Sequence, residues 1–233
     1  MKTMQKMKRS AFTLVELLVV IVIIGILLAV LFPAISDALK TASANSMLQQ
    51  GRSISQALLQ RNLDENFDQQ IYAVSTGGTN FTTSTEYFRY LIKNGVIEGE
   101  TFALFGGGGT KLYRGVDQTK FTGQYNAWNA VVDVNTHPIS TAPLLFSRNL
   151  VIEKLPDGAA NSEDIAALLR NTTDQKLKFA TTQLVVITKG GSGHAVHPVA
   201  SLTTGGAAKI NPPYLDSGNP ASKLLDVIKP GSD

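Results

Sequence analysis

Three patterns of apolar and polar positions follow one another along the chain. Phe12 to Phe32 is almost unbroken aliphatic, with one carboxylate, Glu16, near its front. As a helix of ~1.5 Å rise per residue these 21 residues span ~32 Å, close to the ~30 Å hydrocarbon core of a bilayer. Behind Pro33 the stretch AISDALKTASANSMLQQGRSISQALLQRN has no further proline and places apolar residues at helical spacing. Ile35, Leu39 and Ala42 share one face, while Met47, Ile54 and Leu58 form a second stripe that is out of phase with the first. The phase shift predicts two successive contacts for one helix running from Phe12 to about Arg61, ~75 Å long, with a bend where Pro33 removes a hydrogen bond. Gly25 and Gly51 are weaker points along it, and a membrane helix followed by a separate coiled linker is the alternative.

From Asn62 onward short segments are divided by Gly, Asn and Pro, which predicts an α+β head with a small antiparallel sheet. STEYFRYLIKNGV places Tyr87, Tyr90 and Leu91 at helical spacing and stops at Asn94-Gly95. NSEDIAALLRN predicts a second short helix, with Asn161 or Ser162 as its cap. The predicted strands are IYAVS, KLYRG, NAVVDV, PLLFS and TQLVVITK, the last marked by its aliphatic and β-branched run Leu184 to Ile187. Trp128, in YNAWNAVV, reads as a core anchor.

Charge sharpens the division between the two parts. The formal net charge is +3, but Lys2, Lys6, Lys8 and Arg9 lie in the first eleven residues, which hold no acid; without them the charge is −1. No basic nucleic-acid-binding surface is expected once that leader is gone. The same cations, standing before an apolar run, predict a cytoplasmic N-terminus and an exported body. With no cysteine, the chain has no disulfide, thiolate nucleophile or Cys-based zinc site. The apolar run is longer than that of a secretory signal, and Leu31-Phe32-Pro33-Ala34 is a poor cleavage site for one. The small residue stands instead at Ala11, in front of the run.

AFTLVELLVVIVIIGILLAVLFPA resembles the N-terminal cleavage and methylation signature of type IV pilins and type II secretion pseudopilins. The resemblance implies that prepilin peptidase cuts between Ala11 and Phe12, that Phe12 becomes the N-methylated terminus, and that Glu16 is the fifth mature residue. Pro33 stands where the family commonly has a helix-kinking proline. Ala11 departs from the glycine the family prefers before the cut. In this context Glu16 is an assembly residue, whose partner is the new amine of Phe12 on a neighbouring subunit. Major pilins often close a C-terminal loop with a disulfide and pseudopilins commonly lack one, so the absence of cysteine favours a pseudopilin.

Enzymatic and metal sites fare poorly beside this. Gly106 to Gly109 lacks the Gly-Lys-Ser/Thr ending of a phosphate loop, since Lys111 follows Thr110, and is expected to be a flexible loop. His194 and His197 are three apart, but the flanking glycines and Pro198 predict a turn or strand where a metal site needs a helix. Asp117, Asp133 and Asp216 have the oxygen chemistry of calcium ligands without forming a dense Asp/Asn/Gly loop. No cofactor is expected; calcium is the one candidate ion, because some major pseudopilins bind it near their C-terminal loops.

The expected organisation is a leader over 1–11, a transmembrane and polymerisation helix over 12–33, its amphipathic continuation over 34–62, and an exported α+β head over 63–233. The resemblance implies a structural, non-catalytic subunit in the bacterial inner membrane. Its partners would be prepilin peptidase, other pilin or pseudopilin subunits, an inner-membrane assembly platform with its ATPase, and the lipid bilayer. A monomeric membrane-anchored binding module is the alternative.

Overall fold

The computed structural model describes residues 13–64, 71–73, 81–97, 102–115, 117–134, 140, 142–149, 177–179, 182–196 and 227–230. It has two compact units, Met1–Leu39 and Lys40–Asp233. One helix, α1 (Leu14–Asn62), contributes its first half to the former and its second half to the latter. Its 49 residues give a length of ~73 Å, and it remains helical through Pro33. No coiled linker interrupts it.

In the second unit α1 buries Ala44, Met47, Gly51, Ile54, Ser55 and Leu58, a stripe at the three- and four-residue steps of one helix face. The predicted residues Met47, Ile54 and Leu58 are thus joined by Gly51 at the centre, which is no weak point. A Cβ on Gly51 would come within 2.5 Å of both Ile187 Cγ1 and Trp128 Cη2, so the missing side chain is what lets helix and sheet meet. Trp128 is fully buried there, the core anchor that its neighbours predict. Ile35, Leu39 and Ala42 are exposed.

That sheet has five antiparallel strands: β1 (Trp128–Val131), β2 (Pro143–Ser147), β3 (Leu184–Thr188), β4 (Gly193–Val196) and β5 (Val227–Ile228), in the order β4-β3-β2-β1-β5. Leu145 pairs with Ala130 on one side and Ile187 on the other, and the register shifts between Pro143 and Leu145. All residues of β1, β2 and β3 are buried, which explains the continuous apolar runs Pro143–Phe146 and Leu184–Ile187 in β2 and β3: a strand covered on both faces needs no polar alternation. A four-residue loop, Lys189 to Ser192, joins β3 to β4. Gly191, at φ +84°, donates to Thr188 O, and Thr188 N–H donates to Ser192 O.

Helix α2 (Ser84–Lys93) matches its sequence reading at both ends. It begins in a capping box, in which Glu86 N–H donates to Thr83 Oγ1 and Thr83 N–H to Glu86 Oε2. It ends with Gly95 at φ +66°, where Gly95 N–H reaches Ile92 O and Val96 N–H reaches Leu91 O. Tyr87 and Leu91 are buried; Tyr90 is half-buried.

Several expectations need correction. Ile71–Ala73 of IYAVS is buried but irregular, tied to the sheet by a bond from Asp133 N–H to Ala73 O rather than by a ladder. KLYRG is an exposed irregular loop, because its Tyr113 packs on Tyr125 and Phe121 instead of facing a partner strand. NAVVDV yields a strand only to Val131; it turns at Asp133, which has φ 58°. Gly106 to Gly109 forms a packed turn rather than an open loop. Gly107 and Gly108 lie at positive φ, and added Cβ atoms would strike Gln50 and Leu177 respectively, while Thr110 Oγ1 accepts from Gly107 N–H at 2.9 Å. The helix expected over 161–171, together with Val74 and Ser75, lies outside the described residues.

Candidate functional site

The candidate site is the start of α1. Thr13 stands immediately before the helix, and its Oγ1 accepts from Glu16 N–H at 3.2 Å. Glu16 Oε2 in return accepts from Thr13 N–H at 2.8 Å and from Thr13 Oγ1 at 2.9 Å. This is a capping box: the first helical turn has backbone amides with no intrahelical partner, and the two side chains satisfy them reciprocally. An acid in the first turn also faces the positive end of the helix dipole. Glu16 therefore has a local partner within the subunit.

Behind it every large apolar side chain from Leu14 to Phe32 is between 46% and 86% exposed, with no polar residue after Glu16. A patch of that size is incompatible with water and requires either hydrocarbon or other helices around it. Among the described residues α1 is the one helix long and apolar enough to cross a membrane. On Gly25 a Cβ would meet nothing within 4 Å, so this glycine leaves the helix surface open.

The predicted site residues divide as follows. Glu16 lies in the first turn of α1, and Pro33 lies inside the helix. Ala11 and Phe12 lie outside the described residues. Thr13 is the residue that the sequence reading missed. Its signal was available as the Thr-x-x-Glu spacing of Thr13 and Glu16, the same spacing that starts α2 at Thr83 and Glu86.

The other candidates are dispersed. The Asp117 carboxylate caps a short 3-10 turn, accepting from Thr119 N–H at 3.0 Å and Thr119 Oγ1 at 2.7 Å, and lies 3.3 Å from Lys120 Nζ. These hydrogen bonds, followed by the Lys120 ammonium, hold it below the usual aspartate range. Asp133 occupies the turn after β1, and Asp216 lies outside the described residues. His194 is on β4, opposite Val186, and His197 lies outside the described residues. Among the described residues no three His, Asp or Glu side chains come together as metal ligands.

Neither the curated proteins nor the solved structures give a match to this chain. Residues 6–32 match the family model described as the prokaryotic N-terminal methylation motif. The motif supports a pilin-like or pseudopilin precursor and a membrane-anchored protein, and it belongs to structural subunits rather than enzymes. It implies processing by prepilin peptidase and polymerisation of the pilin type. The match and the capped apolar helix coincide, so the N-terminal segment of this chain is a prepilin-type N-terminal cleavage and methylation motif.

Proposed function

We propose that this chain is the precursor of a structural subunit, cut between Ala11 and Phe12, N-methylated at Phe12, and assembled through α1 into a type II secretion pseudopilus or a type IV pilus-like filament. The observation that carries this reading is a helix whose large apolar side chains from Leu14 to Phe32 are all exposed and whose first turn holds one carboxylate. A charged residue at mid-bilayer costs roughly 2.5–3.5 kcal/mol on insertion scales and less near the interface, so a lone Glu in such a helix is retained for a function. The Thr13 cap lowers that cost in the single subunit. A neighbour's Phe12 amine adds an opposite charge in an apolar setting, which favours both association and register.

In this reading the four leader cations keep the N-terminus cytoplasmic and the head is exported from the bacterial inner membrane. The exposed Ile35, Leu39 and Ala42 stripe extends the subunit contact beyond the bilayer, and Pro33 is the kink at its start. The subunit carries no catalysis of its own. Its partners are prepilin peptidase, identical or related subunits, and the inner-membrane assembly platform. The test is Glu16→Ala in the native host. We expect a precursor that inserts and is processed, with Phe12 found first on N-terminal sequencing, but that gives few or no filaments. Normal filaments from the variant would remove Glu16 from the assembly contact, a wild type that forms no filaments would favour the monomeric anchor, and an intact Met1 terminus on wild-type protein would exclude the cleavage.

A further inference from the structure

Phe121, Gly123 and Asn126 are buried in a segment whose regular structure is two short 3-10 turns. Buried carbonyls need partners. The turn supplies one, since Asn126 N–H donates to Gly123 O at 3.2 Å. Guanidinium groups supply the others. Arg89, on α2, donates from Nε to Phe121 O at 2.9 Å and from Nη2 to the same oxygen. Arg148, one residue past β2 and only 7% exposed, donates from Nη1 to Gly123 O and to Asn126 O, each at 2.5 Å.

The oxygens are held in place from behind. Asn126 Nδ2 donates to Ser84 Oγ at 2.9 Å and Thr85 Oγ1 at 3.1 Å, and its Oδ1 accepts from Trp128 N–H at 2.9 Å. Ser84 Oγ donates in turn to Trp128 O at 2.7 Å. The carbonyls of Gly123 and Asn126 thus converge on one buried cation from a frame fixed by α2 and β1. Gathered backbone oxygens are a donor set for cations, and a guanidinium offers five N–H groups to such a set without ever losing its charge.

We propose that the carbonyls of Gly123 and Asn126 form a cation-binding site that the chain fills with its own Arg148, and that accepts a small soluble guanidinium ion when that side chain is shortened. The site joins α2, β1 and β2 through one charged group. Removing the group leaves two buried oxygens without it, and a free ion of the same shape replaces the bonds at the cost of its own immobilisation. Its effect is therefore saturable.

The experiment is thermal unfolding of the full chain in detergent, followed by the fluorescence of Trp128. Arg148→Ala is expected to lower Tm by roughly 5 °C or more. Millimolar methylguanidinium, far below denaturing concentration, should return part of that loss along a saturating curve and leave the wild type unmoved. Tetramethylammonium, a cation without N–H donors, should return none of it. An Arg148→Ala variant that neither ion restores, or that both restore equally, overturns the proposal. Should that variant fail to fold, Arg148→Met fills comparable space without donors: a wild-type Tm overturns the proposal and a lowered one supports it.

Discussion

Gly51 shows how much one missing methyl group decides. In an isolated helix alanine is better than glycine by about 1 kcal/mol, so propensity alone favours Gly51→Ala. The packing argues the other way, because the new Cβ would lie 2.5 Å from Ile187 and Trp128, both fully buried and without room to retreat. Overpacking of this kind costs about 1–3 kcal/mol, which outweighs the gain. We expect Gly51→Ala to lower the denaturation midpoint of the detergent-solubilised protein, read from Trp128. Gly25→Ala, where a Cβ touches nothing within 4 Å, should cause no such loss. In the sequence both glycines look like the same helix-weakening residue, since what separates them is a tryptophan far away along the chain.

Among the elements, those carried by local signals were legible in the sequence and those carried by distant partners were not. α1, α2, β2 and β3 stand where periodicity, caps and apolar runs place them, because each is specified by its own residues. KLYRG has strand propensity, but Tyr113 finds an aromatic cluster and the segment becomes a loop. β5 is two residues long and depends on pairing with Ala130 and Val131, which leaves no local pattern to read. The Glu16 side of the candidate site was visible as a charge in an apolar run; Thr13 was overlooked because its role lies in a reciprocal bond. α2 carries a pH dependence of its own. Tyr87 donates to Ile71 O at 2.8 Å, and its burial, followed by the neighbouring Tyr72, pushes its pKa well above the ordinary tyrosine range. A raised pKa gives stability that is complete below the ordinary value and is lost as pH rises beyond it. Alkaline unfolding should therefore begin in the ordinary tyrosine range for the wild type and shift upward in Tyr87→Phe, as followed by circular dichroism; an unchanged onset would place the alkaline sensitivity elsewhere.

For the molecule as a whole, the distribution of exposed apolar surface separates two environments. Of the exposed large apolar side chains among the described residues, all but Leu63 and Leu112 lie between Leu14 and Leu39. The stripe from Ala44 to Leu58 is completed inside the second unit, which has its own sheet and core. A chain beginning at Lys40 is expected to be soluble without detergent, monodisperse in gel filtration, and to keep the buried-tryptophan emission of the full protein. Aggregation of that truncation would show that the second unit depends on the first.

The strand order carries a consequence for the timing of folding. β1 to β4 are neighbours in the order in which they are made, whereas the open side of β1 is covered only by β5, far downstream in sequence. The same downstream segment supplies Lys229 O, which accepts from Ser84 N–H at the start of α2 at 2.9 Å. If the chain crosses a membrane from its N-terminal helix onward, the sheet edge and the Ser84 N–H must wait for these late residues. For that interval β1 is an unprotected edge, open to pairing with the wrong chain.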